Sequence, residues 1–187
     1  MSESPDNLPK PRLTTPPGAC DTHMHFYDAR FPSAATAAFT PPNASVADYQ
    51  ALQQRLGLER VVIVQPSVYG RDNACILEAR EAFGDNARLV VVVDDETPEA
   101  ELERLTGLGA RAARFFMLDG APIPWDLLEP VAQRVHDHGW HIQLQMNGRD
   151  FADRADQLAR LPGTLVVDHI GRFMDPVPID HPSFKAL

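Results

Sequence analysis

Two histidines, His23 and His25, stand one residue apart in the stretch CDTHMHFYD at positions 20–28. In an extended strand alternate side chains point to the same face, so we expect both imidazoles on one face and Met24 and Phe26 on the other. Imidazole is the commonest protein ligand for metals and also transfers protons near neutral pH. The spacing therefore predicts a strand with one chemically active face.

A third histidine, His169, lies in the stretch TLVVDHI at positions 164–170. Together with His23 and His25 it could supply three of the four ligands of a tetrahedral Zn²⁺ site. Without a metal, the three imidazoles could donate hydrogen bonds to a substrate carbonyl and stabilise the charge that develops on its oxygen. The residues leave both alternatives open. Asp168 precedes His169 on the predicted strand, so we expect it to face away from the site and to bond to backbone.

An arginine within a predicted strand is a candidate for binding an anionic group. Arg114 lies in the apolar run ARAARFFM at positions 110–117. A guanidinium at such a position could hold a carboxylate through two parallel hydrogen bonds. The alternative is a structural ion pair between Arg114 and Asp94 or Glu78.

Four residues that follow predicted strands are further candidates for substrate binding. Arg172 comes three residues after His169, and Ser67, Tyr69 and Arg71 lie in the loop after the second strand. The two arginines would add positive charge, and the two hydroxyl groups would add neutral hydrogen bonds.

Short β-rich runs alternate with amphipathic helical patterns along the chain. Five helical patterns lie between the runs, the first of them preceded by a capping-box pattern from Ser45 to Asp48. This repetition of a strand and a helix requires right-handed crossovers and a parallel sheet covered by helices. The six predicted strands are 19–26, 60–66, 88–94, 110–117, 140–146 and 164–170.

The polar residues distinguish between two forms of such a sheet. An open doubly wound sheet that binds nucleotides would carry a glycine-rich phosphate loop after a strand, and the sequence contains neither common form of that loop. Polar side chains at the carboxyl ends of several strands are instead typical of barrel enzymes. Gln143 and Gln145 share one face of the fifth strand, where they would line the barrel or pack in its core. We therefore predict an α/β chain of the (β/α)8 TIM-barrel type, limited here to about six βα units.

Composition excludes several classes of partner. The chain of 187 residues has a formal net charge of -9 and no concentration of Lys or Arg, so we expect no binding to nucleic acid or to a membrane surface. No run of 18 apolar residues occurs. Two cysteines are too few for a disulfide framework, which favours a reducing, cytoplasmic location. We expect residues 1–18, rich in proline, to form a flexible arm and residues 19–187 to form the partial barrel.

Several motifs resemble one known family over the range from about Pro11 to the last residue. These motifs are PPGACDTHMHFYD, GLERVVIVQPSVYGRDN, ARAARFFML and VVDHIGRF. They are similar to the amidohydrolase superfamily, and more narrowly to its amidohydrolase-related group, which contains lactone hydrolases and a lactone isomerase. The resemblance implies a distorted (β/α)8 barrel in which His23, His25 and His169 face the carbonyl of a small carboxylated lactone.

The resemblance also bears on cofactors and on a fourth catalytic group. It implies either no metal or one divalent metal, Zn²⁺ first, held by His23, His25 and His169. It further implies an aspartate at the end of strand eight as the general base, and we expect that residue beyond position 187. Two alternatives remain at this point, a zinc-dependent decarboxylase of the same superfamily and an inactive fragment that lacks the strand-eight aspartate.

A six-stranded parallel arc has a physical weakness. It cannot close a barrel, so the backbone groups of its two edge strands would be unpaired. We therefore expect a partial sequence of a protein near the ~250 residues typical of this barrel, or completion by another chain. A homo-oligomer is compatible with the second expectation.

Overall fold

The computed structural model describes residues 11–187 and contains one six-stranded parallel sheet. The strands are hydrogen-bonded in the order in which they occur along the chain, and each pair is parallel. The prediction of six parallel strands with intervening helices is confirmed. The strands are β1 (Cys20–Met24), β2 (Arg60–Val64), β3 (Ala87–Val91), β4 (Ala110–Phe116), β5 (His141–Gln145) and β6 (Leu165–Val167).

Six α-helices accompany the strands, five of them at the predicted places between strands. They are α1 (Val46–Leu56), α2 (Ala74–Glu81), α3 (Glu99–Gly107), α4 (Leu128–Asp137), α5 (Phe151–Ala159) and α6 (Pro182–Ala186). Helix α1 begins at the predicted capping box, in which Ser45 and Asp48 each bond the backbone N–H of the other. Over residues 11–187, each helix is too short or too polar to cross a lipid bilayer.

The sheet curls strongly. In a flat sheet the first and sixth strands would lie about 24 Å apart. Here the His23 side chain of β1 lies 3.6 Å from Asp168, which follows β6, and 3.3 Å from Gln143 on β5. The sheet therefore curves into an arc of a barrel, and side chains from the two ends of the arc meet on its inner face.

The main core lies between the outer face of this arc and the helices. Ile63, Leu89, Phe115 and Leu144, from β2 to β5, are fully buried in it. Each side chain of this size contributes about 1.5–3 kcal/mol to the free energy of unfolding when it is buried. A second, small cluster of Val64, Val90 and Ala112 lies apart from this core. Side chains alternate between the two faces of the sheet along β2 to β4, so this cluster lies on the inner face. At the ends of the strands the same face carries polar residues.

The end of the predicted arm contacts helix α1. Thr15 Oγ1 donates to the carbonyl oxygens of Leu56 and Gly57, at 3.1 and 2.7 Å. These are carbonyl groups that the helix end leaves without intrahelical partners. Residues 1–10 of the predicted arm lie outside the described residues.

Strand β6 ends three residues earlier than the sequence pattern predicts. His169 and Ile170 have φ angles of 53° and 54°, in the left-handed region, so a strand cannot continue through them. The turn that results packs closely on the loop after β5, where Gly148 N donates to the Arg172 carbonyl oxygen at 3.2 Å. This contact holds the turn that carries His169 against the sheet.

The close contact at Gly148 gives a test of this arrangement. A Cβ atom at position 148 would overlap the Gly171 carbonyl oxygen and lie 2.8 Å from the Phe173 ring. We expect Gly148→Ala to lower the free energy of unfolding by about 1–3 kcal/mol, because backbone must move to admit the methyl group. Urea denaturation would measure the change. Gly107→Ala is the control, since nothing lies within 4 Å of a Cβ there, and an unchanged stability for Gly148→Ala would contradict the packing.

Candidate active site

Side chains from both edges of the sheet meet on its inner face. The rings of His23 and His25 are 5.0 Å apart between centroids, and those of His23 and His169 are 5.1 Å apart. Arg114 and Asp168 lie beside them, with 3.7 Å between Arg114 Nη2 and Asp168 Oδ2. The three histidines proposed from the sequence therefore lie together, at the carboxyl end of the strands.

Asp168 belongs to this cluster, so the expectation that it faces away from the site was wrong. Its side chain is 3% exposed, and its Oδ1 atom lies 3.6 Å from His23 Nδ1. The error has a backbone cause. Strict alternation would send Asp168 and His169 to opposite faces, but the left-handed φ of His169 turns the chain and directs both side chains inward.

The orientation of the Gln143 amide decides the tautomer of His23. Gln143 Nε2 lies 3.3 Å from His23 Nδ1, and with the amide in this orientation Nδ1 accepts and the proton of the neutral ring lies on Nε2. His23 Nε2 is buried and has no protein partner among the described residues. Burial lowers the pKa of His23. The negative charge of Asp168 raises this pKa, and Arg114 and His169 lower it further.

His25 has the opposite tautomer. Its Nδ1 atom lies 2.8 Å from the Val64 carbonyl oxygen, which can only accept, so Nδ1 carries the proton. Its Nε2 atom therefore offers a lone pair. Burial and the charge of Arg114 lower the pKa of His25 to about 4, so the ring is neutral at physiological pH.

Arg114 is a buried cation with partners on three strands or strand ends. It donates to the Gln65 carbonyl oxygen and, at 2.8 Å, to Gln145 Oε1, and it faces Asp168. Its ion partner is therefore neither Asp94 nor Glu78. Its Nε–H is buried without a protein partner among the described residues. A buried donor of this kind needs an acceptor.

A cleft of about 870 Å³ opens at this end of the sheet. Its lining includes His25, His169 and Arg114, together with Ser67 and the half-buried Arg172. Ala38 and Phe39, from the long connection between β1 and α1, border it as well. That connection is pinned at its ends by an antiparallel bridge between residues 27 and 44. The cleft is large enough for a small-molecule substrate.

Two predicted substrate-binding residues are placed outside the cleft lining. The Tyr69 hydroxyl is already used, since it accepts from Asp28 N–H at 2.8 Å and donates to the Asp28 carbonyl oxygen at 3.2 Å. Arg71 forms an ion pair with the buried Asp94 in a separate pocket beside α3. Both side chains follow β2 as predicted, but local partners turn them away from the histidines.

Several residues that line the cleft were not singled out from the sequence. Tyr27 continues the alternation of His23 and His25 beyond the end of β1, and this signal was available; burial raises the pKa of its phenol. Asn147 and Asp150 follow β5, where the strand-end rule could have found them. Asp119 and Trp125 lie in the loop after β4, whose path no local pattern predicts.

The cluster also offers metal ligands. One ligand atom each from His23, Asp168 and His169 lies within 4.8 Å of the others. Two imidazoles and a carboxylate form a donor set that suits divalent zinc. Because His23 Nε2 and Asp168 Oδ2 are buried without hydrogen-bond partners among the described residues, these residues fit such an ion. From the sequence we predicted His23, His25 and His169 as the ligands. In this set Asp168 replaces His25.

The low pKa of His25 predicts a titration and a pH dependence of stability. We expect NMR titration of the His25 ring to give a pKa near 4, against about 6.5 in the unfolded chain. Because the pKa of His25 is lower in the folded chain than in the unfolded chain, the contribution of this ring to the free energy of unfolding is complete above pH 6.5. It falls as the pH drops from 6.5 towards 4. The loss by pH 4 is about 3 kcal/mol.

His25→Asn is the matched variant, because an amide N–H can still donate to the Val64 carbonyl oxygen. This variant should lose that part of the pH dependence. A His25 pKa near 6.5 would show that the ring is not buried beside Arg114.

Comparison with known proteins gives consistent relationships. The family described as amidohydrolase matches residues 20–187. A D-galactarolactone isomerase of Agrobacterium fabrum is 34% identical over 179 residues, which cover 95% of this chain and 61% of that protein. A 2-pyrone-4,6-dicarboxylate hydrolase of Comamonas testosteroni is 36% identical over 170 residues, which cover 89% of this chain and 56% of that protein.

A solved structure agrees with these relationships. A crystal structure of an Agrobacterium tumefaciens protein without ligand superposes with a TM-score of 0.87 at 33% identity, covering 94% of this chain and 65% of that one. The chain therefore spans less than two-thirds of the length of the relatives it matches. The match to the family covers both the first-strand and the sixth-strand histidines, and the chain belongs to the amidohydrolase family.

Proposed function

We propose that this chain provides the carbonyl-binding and carboxylate-binding groups of an enzyme that hydrolyses or isomerises a carboxylated lactone. The observation that carries the proposal is the meeting of three imidazoles and a buried guanidinium at one end of the sheet. The names of two relatives, a lactone isomerase and a pyrone dicarboxylate hydrolase, support the same substrate class.

The two first-strand histidines have complementary roles in this proposal. His23 is not among the residues that line the cleft, and its Nε2 atom is buried; its N–H can donate to the lactone carbonyl, as negative charge develops on the oxygen, only if the bound ring reaches past the lining residues. His25 presents a lone pair at Nε2, which can accept from and orient a water molecule. In the family resemblance the proton of that water passes to an aspartate of strand eight, a position that none of the six strands in residues 11–187 carries.

Arg114 is the proposed anchor for the substrate carboxylate. Two of its donors are held by the Gln65 carbonyl and by Gln145, which fixes the plane of the guanidinium. Its Nε–H is buried without a hydrogen-bond partner among the described residues, and Arg114 lines the cleft. Arg172 at the same cleft would provide a second positive charge. A fixed guanidinium orients the lactone ring so that its carbonyl approaches His23.

A metal-assisted reaction is the second candidate, because His23, Asp168 and His169 form a fitting ligand set. A divalent ion bound there would polarise the carbonyl as a Lewis acid. In that case His25 Nε2 and Arg114 would keep the roles given above. Decarboxylation is the alternative reaction for a zinc-dependent member of the superfamily.

A lactone panel tests the proposal on the purified protein with the remaining barrel strands, including the strand-eight aspartate, present. We expect release of a proton or formation of an isomer with D-galactarolactone or with 2-pyrone-4,6-dicarboxylate, followed by pH indicator and NMR. His23→Leu should lower kcat about 10²–10³-fold, because it removes a donor to the developing oxyanion. His138→Leu is the control, since His138 bonds Glu99 and is not part of the cleft lining.

Further arms of the assay separate the candidates. Loss of activity with a chelator, restored by Zn²⁺, would assign the metal-assisted reaction, and release of CO₂ would assign the decarboxylase. A folded protein that changes none of these substrates would contradict the proposed function.

A further inference from the structure

Strand β1 contains one more residue than β2 over the stretch that carries His23. Asp21 pairs with Val61 and Met24 pairs with Ile63, so three steps along β1 match two along β2. An extra residue of this kind forms a β-bulge, which bends the strand and redirects the side chains beside it. The bulge lies between Asp21 and Met24, and it therefore includes His23.

The bulge places Asp21 and His23 on opposite faces of the sheet. Strict alternation would put both on one face, because they are two residues apart. His23 lies on the inner face, where it meets Gln143. Asp21 instead reaches the helix side, where the Tyr49 hydroxyl of α1 donates to its Oδ2 atom at 3.2 Å. Its partner on β2, Val61, belongs to the main core on the same side.

The Asp21 carboxylate also bonds the backbone of the bulge. Its Oδ1 atom accepts from the backbone N–H of His23 at 3.1 Å. One carboxylate oxygen is thus bound to the peptide group that carries the histidine ring, and the other is bound to a helix side chain. Hydrogen bonds to an ionised acceptor are roughly twice as strong as neutral ones. The two bonds together restrain the backbone of His23.

Tyr49 is a fixed partner for this carboxylate. Its side chain is buried in the main core, where the ring packs edge-to-face on Phe26 with 5.8 Å between centroids. Burial and the negative charge of Asp21 raise the pKa of its phenol, so the hydroxyl stays protonated and donates. Helix α1 is therefore connected to the backbone of His23 through two consecutive hydrogen bonds.

We infer that Asp21 is a positioning residue for His23 and that Tyr49 holds it in place. Together they fix the bulge that turns the histidine ring towards its partners on the inner face. Neither Asp21 nor Tyr49 lines the cleft, so both act through His23. For its effect on the reaction this inference rests on the proposed function, whereas the bulge and its bonds are contacts within β1, β2 and α1. Misplacement of a reacting group by about 1 Å can lower a rate about 10²-fold.

Substitution of Asp21 tests the effect on the reaction, in the protein that includes the remaining barrel strands. With a lactone that this protein converts, Asp21→Ala should lower kcat roughly ten- to hundredfold and leave KM within about twofold, because His23 moves while Arg114 stays. Asp21→Asn should restore most of kcat, because an amide oxygen can accept from the same N–H. Asp72→Ala is the matched control. Asp72 accepts from the N–H two residues further on at 2.9 Å, as Asp21 does, but outside the cleft lining.

Imidazole ¹⁵N chemical shifts of His23 give a readout that requires no turnover. We expect Asp21→Ala to move both ring nitrogens of His23 towards the averaged values of two tautomers, because the ring is no longer held in one position. The signals of His25 should stay, since its ring is held by the Val64 carbonyl oxygen. Tyr49→Phe removes only the hydroxyl and should cause a smaller change in the same direction. If Asp21→Ala does not fold, Tyr49→Phe decides the outcome.

The chemical shifts separate failure of this inference from failure of the proposed reaction. If no lactone reacts but the His23 signals move in the Asp21 variant and not in Asp72→Ala, the inference is supported and only the proposed function fails. Unchanged His23 signals in Asp21→Ala, or an equal change in Asp72→Ala, would overturn the inference whatever the lactone assay shows. A loss of kcat that Asp21→Asn does not restore would overturn it as well.

Discussion

A buried guanidinium, that of Arg114, is the interaction on which the geometry of the site depends. A charge taken out of water is costly unless polar groups surround it. Those groups come from the end of β2, from β5 and from the residue after β6, while Arg114 itself belongs to β4. Only a curled sheet can bring them together, so the same curvature that satisfies Arg114 also places Asp168 beside His23.

The first-strand histidines show how the fold can give two identical side chains different chemistry. His25 meets a backbone carbonyl at Nδ1, and His23 meets a side-chain amide donor at the same ring atom. One ring is thereby left with a donor at Nε2 and the other with an acceptor. Both rings are held neutral by burial and by the nearby guanidinium. A donor for the carbonyl and an acceptor for water on one strand face suit the addition of water to an ester.

Local patterns were sufficient for much of the fold. Alternation along β1 placed His23 and His25 together, and the capping box fixed the start of α1. The expectation that Asp168 faces away from the site was wrong because it depended on the backbone after β6. The left-handed conformations of residues 169 and 170 have no signal in a strand pattern. Tyr69 and Arg71 lie at predicted strand ends but bind local partners, Asp28 and Asp94, which only tertiary structure reveals. Asp119 was missed because it lies in a loop whose path no local pattern predicts, whereas Asp150 follows β5 and could have been found from the strand end.

The most direct test of this account is the tautomer of each first-strand histidine, measured from imidazole ¹⁵N chemical shifts at pH 7. We predict opposite tautomers, with the proton of His23 on Nε2 and that of His25 on Nδ1. The same tautomer in both rings, or an imidazolium at either position, would contradict it.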